Sequence, residues 1–563
     1  MNNLLHISDY IVFITYFLIV ASYGWWIYRK KKSAEASTKD YFLAEGSLTW
    51  WAIGASLIAS NISAEQFIGM SGEGFFSGIA VAAYEWVAAL ALIIIAVWFM
   101  PVYLKNKIYT MPQFLQVRYN ETVAIIMAVF WIFLYVFVNL TAILYLGSQA
   151  IGSLAGREYF HLILVILAVF ALVIALGGMK VIGYTDVIQV AVLIIGGFVA
   201  VWLALTKVDE VVNQGTSAIN GFKTLITQAP DHFHMIFDKP TANSNLDYVN
   251  KYVALPGITM YFAGQWVANL NYWGCNQYIT QRALGADLQT ARNGILFAGF
   301  LKIFMPIIVM LPGIAAFVLY KNGYFAEGTF GGNKDGAYGA ILSLLPAGMK
   351  GLSVAALTAA IVASLAGKVN SISTIFTLDI YQKYFDKVAD EKKLVKVGRF
   401  AILVAMVIAV ACCWEDLLGI GKEGGFTFIQ KYTGFISPGV FAMFILGMFW
   451  KRTTGAAAIA GLLGGLIFVV VFNNYAPAWF GNETLLYTAF DVGGGNYEIP
   501  FMVNMGWSFV FTVLLMGLIS LAGPKVNPKA FGMDSSMFKL KPATIVLITI
   551  IIFTVAALYA KFW

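Results

Sequence analysis

The sequence predicts an all-α polytopic membrane protein of about fourteen transmembrane helices. Of 563 residues, 60% are hydrophobic and only 12% are charged, with a mean hydropathy of +0.77, which is too apolar for a water-soluble domain. Runs of roughly 20 apolar residues, the length that crosses the hydrocarbon core as a helix, recur near 9–28, 50–72, 79–104, 122–151, 160–178, 184–206, 252–276, 292–320, 349–378, 396–414, 426–449, 454–474, 500–523 and 542–562. The runs lack strand-type alternation, and only helices and closed barrels satisfy backbone groups in lipid.

Taken in order, the first run follows no basic segment and leads into Arg29-Lys30-Lys31-Lys32 rather than a small-residue cleavage site, so it is expected to be a retained span. The second is unlike the rest. Gly54, Gly69, Gly72 and Gly74 crowd it together with Ser56, Ser60, Ser63 and Ser71, and Asn61, Ser63, Glu65 and Gln66 stand where hydropathy predicts lipid. That composition suits a helix interrupted midway, and a broken helix at bilayer depth must line a cavity where its freed carbonyls can hold a cation. A plain small-residue interface needs neither Glu nor Gln.

The third run carries Glu85, the sixth opens with Asp186, the eighth holds Lys302, the ninth Lys368 and the eleventh Gln430. A charge at mid-membrane costs roughly 2.5–3.5 kcal/mol on insertion scales, so such residues are functional or paired. Each has a plainer reading: Glu85 as a cap near the outer surface, Asp186 in the interface, Lys302 snorkelling to the boundary. In the seventh run Asn269, Tyr272, Trp273 and Asn276 fall at i, i+3, i+4 and i+7, one helical face. Amides beside aromatic planes suit a sugar ring, although an aromatic stripe also serves packing. The mixed-charge stretch 207–251 is expected to be an ordered external cap.

Basic connections at Arg29 to Lys39, Lys105 to Arg118, Arg282 and Arg292, Lys383 to Lys396, Lys451-Arg452 and Lys525 to Lys541 all follow odd-numbered spans. By the positive-inside rule both termini lie outside. The same rule explains the net charge of +7, so nucleic acid is not an expected partner. Cys275, Cys412 and Cys413 sit in apolar runs without CxxC spacing, which supports no disulfide framework or zinc site. His6, His161, His232 and His234 form no HExxH, and neither GxxxxGK[ST] nor GxSxG occurs, so no enzyme is expected.

The stretches ASLIASNISAEQFIGMSGEG, YEWVAALALIII, FVNLTAILYLG, YTDVIQV, WVANLNYWGCNQYITQR, FLKIFMPIIVMLPGIAA, AAIVASLAGKVNSISTIFTLDIY and FIQKYTGFISPG resemble the solute:sodium symporter family, in its sodium/glucose (sodium/galactose) cotransporter branch. The resemblance implies a leucine-transporter-like core of two inverted five-helix repeats, each with a discontinuous first helix. It implies an N-terminal extra helix with a basic cytoplasmic loop over 1–48, a first repeat over 49–206 and an external connection over 207–251. A second repeat over 252–449 and extra C-terminal helices over 450–563 complete it. The expected activity is sodium-coupled import of a galactose- or glucose-like monosaccharide through the plasma membrane, a bacterial inner membrane. Sodium is the coupling ion, and sugar and the lipid bilayer are the partners. Oligomeric state is left open.

Residue by residue, the resemblance places sugar on Gln66, Glu85, Asn269, Lys302 and Gln430, with Asn61 and Ser63 at the break. Tyr272 stacks under the sugar as inner gate, and Met70, Tyr84 and Phe426 form the outer gate. Ala88 departs from the family pattern, where a serine stands near the sugar. The sodium ligands implied are the carbonyls of Ala59, Ile62 and Ala360 and a hydroxyl pair that here reads Ala363-Ser364, so one oxygen is missing. Lys368 lies four residues beyond Ser364, ~6 Å along the axis. At that distance and an effective dielectric of ~20 it repels sodium by ~2.8 kcal/mol, on the order of 100-fold in affinity. Three readings of Lys368 stand: it pairs with Asp186 on the inner cation path, it replaces the ion in a proton-coupled or uncoupled transporter, or it snorkels. A sugar-gated sensor or ion pathway is the alternative from another class.

Overall fold

The computed structural model describes residues 5–30, 48–63, 65–326, 329–330, 334–420 and 425–563. Most of the basic loop expected at 29–39 and Ala64 of the second span lie outside them. All fourteen apolar runs are helical. Ten helical stretches among the described residues are by themselves long and apolar enough to cross a membrane, and an eleventh is the pair Phe428–Gly434 and Ser437–Phe449, bent by 49°. The remaining runs are divided or short. Trp50–Asn61 and Gly264–Cys275 are cut at breaks, and Phe160–Ala175 is only 16 residues long. The seventh run also begins in separate pieces, Leu246–Ala254 and Gly257–Tyr261, because Pro256 and a left-handed Gly257 stop the helix between them. Among the described residues a two-stranded hairpin, Phe490–Asp491 with Tyr497–Glu498, lies in the 475–499 connection and leaves the all-α class intact.

The chain forms two compact units. The first comprises Met1–Ile79, Ala128–Phe233 and Gln281–Ile429. Its centre is Met349–Thr374, a buried helix rich in Ala and Ser, against which Trp50–Asn61, Phe160–Ala175 and Met179–Asn213 pack. Small residues permit this, because without a hydrophobic driving force between helices in lipid, association depends on close approach and polar contacts. Trp50–Asn61 also crosses Leu288–Val309 at Gly54 and Gly294, where a Cβ on Gly54 would meet Gly294 O at 2.8 Å. The stretch expected as an external cap is ordered: Met179–Asn213 runs on past the apolar stretch and is followed by Ala218–Gln228, capped by Ser217.

The second unit comprises Ala80–Met127, His234–Thr280 and Gln430–Trp563. There Gly264–Cys275 packs on Ser437–Phe449 and Phe501–Leu521, with Gly455–Asn474 behind. Arg118, 0% exposed, donates to the carbonyls of Gly447, Trp450 and Thr453 and so ties the end of Met111–Arg118 to the turn after Ser437–Phe449.

Candidate functional site

Both expected interruptions are present, each with a side-chain amide at the break. In the second span, Trp50–Asn61 ends at Ile62, whose backbone is extended at φ −79°, ψ 111°. The chain resumes as the π-helical turn Glu65–Met70 and the helix Ser71–Ser77. In a continuing helix the Ser63 N–H would bond the Ala59 carbonyl. Instead it donates to Gln66 Oε1 at 3.0 Å, half of a capping box written in the sequence as Ser63-x-x-Gln66. The Ala59 carbonyl is thereby released from the helical ladder. In the seventh span, Gly264–Cys275 ends at extended Asn276, whose Nδ2 donates to Tyr272 O at 3.2 Å while its own carbonyl accepts from Thr280 N at 3.0 Å, opening Gln277–Leu284.

Within the first unit, Asn61, Ser63 and Gln66 gather at the break, all buried, and Lys302 is 1% exposed. Lys302 and Lys368 are the cations in the field of Glu65. Met70 is buried, and one residue before it Gly69 meets Phe426 so closely that a Cβ would lie 2.5 Å from the Phe426 Cβ. Within the second unit, Glu85 is 3% exposed and Tyr84 8%. Asn269 donates to Gln265 O at 2.9 Å and Gln265 Oε1 at 3.1 Å, and Tyr272, half-buried, meets Trp273 and Tyr278 edge to face. Gln430 is half-buried. Ala88 is buried and brings no hydroxyl.

Ala59, Ile62, Ala360, Ala363 and Ser364 are all buried in the first unit. Ser364 Oγ donates to Ser60 O at 3.1 Å, which bridges the ninth span to the carboxyl end of the broken helix. The carbonyls of Ala59 and Ile62 at the break and the Ser364 hydroxyl are oxygen donors of the kind a sodium ion takes there, whereas Ala360 stays inside the unbroken helix Met349–Thr374. One donor is engaged, however, because Lys368 Nζ lies 2.8 Å from Ser364 Oγ.

Three residues correct the sequence reading. Asp186 is not the partner of Lys368. It accepts from Ser56 Oγ at 2.5 Å and faces Arg282 Nη2 at 3.7 Å, with both charged side chains 0% exposed. Lys368, also 0% exposed, lies on Ser364 and in the field of Glu65, so it does not snorkel. Arg282, read from sequence as part of a basic loop, is buried and donates through Nε to Ser56 O at 3.1 Å and Ser56 Oγ at 2.8 Å. Its neighbour Gln281 holds Thr374 and Ser371. A lone Arg one helical turn beyond a break was the available signal.

The sodium:solute symporter family profile matches residues 41–465. A sodium/glucose cotransporter of Vibrio parahaemolyticus is 42% identical over 581 aligned residues, covering 100% of both chains. The sodium/myo-inositol cotransporter 2 of Mus musculus is 32% identical, over 82% of this chain and 69% of its own. A substrate-bound, outward-open structure of a Na+-coupled sialic acid symporter shares the fold, with a TM-score of 0.75 at 20% identity over 93% of this chain and 99% of that one. Broken helices, buried polar groups at the breaks and full-length similarity agree: the chain belongs to the sodium:solute symporter family and is a multi-pass, sodium-coupled secondary transporter, not an enzyme.

Proposed function

We propose that the protein imports a monosaccharide, galactose- or glucose-like, by alternating access driven by the sodium gradient. The observation that carries this is the 42% identity, end to end, with a sodium/glucose cotransporter. Gln66, Glu85, Asn269, Lys302 and Gln430, with Asn61 and Ser63, are the proposed sugar contacts. They offer amides, a carboxylate and an ammonium, the mixture of donors and acceptors that hydroxyl groups need. Tyr272 supplies the stacking plane, and Met70, Tyr84 and Phe426 the outer closure. Ala59, Ile62, Ala360, Ala363 and Ser364 are the proposed sodium shell, with Asp186 on the ion's inward path. Coupling follows if sugar and ion stabilise the same conformation. On this reading it works in a bacterial inner membrane with both termini outside.

A second reading has one observation in its favour: an ammonium already on Ser364 could stand in the ion's place and give proton-coupled or uncoupled transport. Uptake of labelled galactose, glucose, myo-inositol and sialic acid into proteoliposomes decides. A hexose taken up only under a sodium gradient supports the proposal, and preference for sialic acid or indifference to sodium refutes it.

A further inference from the structure

One charged group at the second-span break belongs to neither proposed set. Glu65 is 5% exposed, stands at the start of the π-helical turn, and its Oε2 makes no hydrogen bond. Among the described residues, Lys368 and Lys302 are the cations in its field. The carboxyl end of Trp50–Asn61 attracts positive charge through its unpaired carbonyls. That end already has a cation, delivered by Lys368 through Ser364 to Ser60 O.

The balance of buried charge sharpens the point. Asp186 is matched by Arg282, which leaves Glu65 to two ammonium groups. A sodium ion added with Lys368 in place would be a third cation on one carboxylate. With Lys368 withdrawn on its flexible four-carbon stem, Ser364 Oγ would be released to an ion, and the Glu65 carboxylate would offer it an oxygen where Ala363 brings none.

We propose that Glu65 is the counter-charge of the transported sodium and that Lys368 is a tethered competitor for the same position, holding the broken helix together when no ion is bound. This rests on the sodium-coupled reading above. It makes Lys368 a determinant of ion affinity rather than a substitute for the ion.

The test is sodium binding to the purified full-length protein, read as sodium-dependent thermal stabilisation with choline as the ionic-strength control. Lys368→Met is expected to tighten sodium binding on the order of tenfold or more, and Glu65→Gln to weaken it by a similar factor. Lys368→Gln is the second variant should the methionine not fold. A structural lysine would on removal leave sodium affinity unchanged or weaker, so the gain is diagnostic. Lys368 variants that bind sodium no more tightly than the unaltered protein overturn the proposal, as does Glu65→Gln with unchanged affinity. Sodium-driven sugar accumulation by the unaltered protein is measured in parallel. Its absence defeats the transport reading, whereas its presence with unmoved affinities defeats only this inference.

Discussion

Asp186→Asn removes the carboxylate from a pair whose two charged side chains are fully buried. At the 3.7 Å separation of Arg282 Nη2 and Asp186 Oδ2, an effective dielectric of ~20 gives about 4 kcal/mol of attraction. Breaking a buried pair by removing one partner typically costs about 3–5 kcal/mol, since the remaining charge stays desolvated. The two figures agree, and the apparent melting temperature in detergent should fall by roughly 3–4 °C. The double variant Asp186→Leu with Arg282→Met should recover most of that loss, because replacing a buried pair by apolar residues is often neutral. Transport distinguishes the roles. Arg282 joins Gln277–Leu284, the helix beyond the seventh-span break, to Ser56 of the second span, so the double variant should fold yet transport poorly. An Asp186→Asn protein as stable and as active as the unaltered one would refute the reasoning, as would a double variant no more stable than the single.

Gly69→Ala sets a methyl 2.5 Å from the Phe426 Cβ and 3.1 Å from its backbone N, an overpacking that should cost about 1–3 kcal/mol and depress uptake. Arg118→Met strips donors from three carbonyls and should cost roughly 3 kcal/mol or more, seen as a lower melting temperature. Asp287 caps Leu288–Val309 by accepting from Gln289 N and Thr290 N, so Asp287→Ala should cost about 1 kcal/mol and Asp287→Asn much less. The Thr290 side chain holds the Asp287 carboxyl below its ordinary value. Its charge-dependent stabilisation is therefore present above the unfolded value of about 3.9 and fades as pH falls through the folded one, so the stability lost by either variant against the unaltered protein should be largest near neutral pH and shrink in acid.

The spans and the second-span break were legible because they are local properties, whereas the seventh-span break entered only through the family resemblance. Apolar length marked the helices, and Gly and Ser crowding with Asn61, Glu65 and Gln66 marked the second-span break. Charge pairing was not local. Ser56, Asp186 and Arg282 come from three distant stretches, and the positive-inside reading assigned Arg282 and Arg118 to solvent although both are buried. Spacing on the ninth helix correctly set Lys368 beside Ser364, since i and i+4 share a face. It could not show that Glu65, rather than Asp186, faces that ammonium. Ser63-x-x-Gln66 was readable as a capping box, but its position inside an apolar run concealed it.

Sodium-driven accumulation of sugar by purified protein in liposomes tests the central claim most directly, with sodium, proton and zero gradients compared for one labelled hexose. The account predicts that internal sugar rises above the external concentration only with sodium outside, and that collapsing the sodium gradient releases it. Accumulation under a proton gradient alone, or mere equilibration in all three conditions, would contradict it.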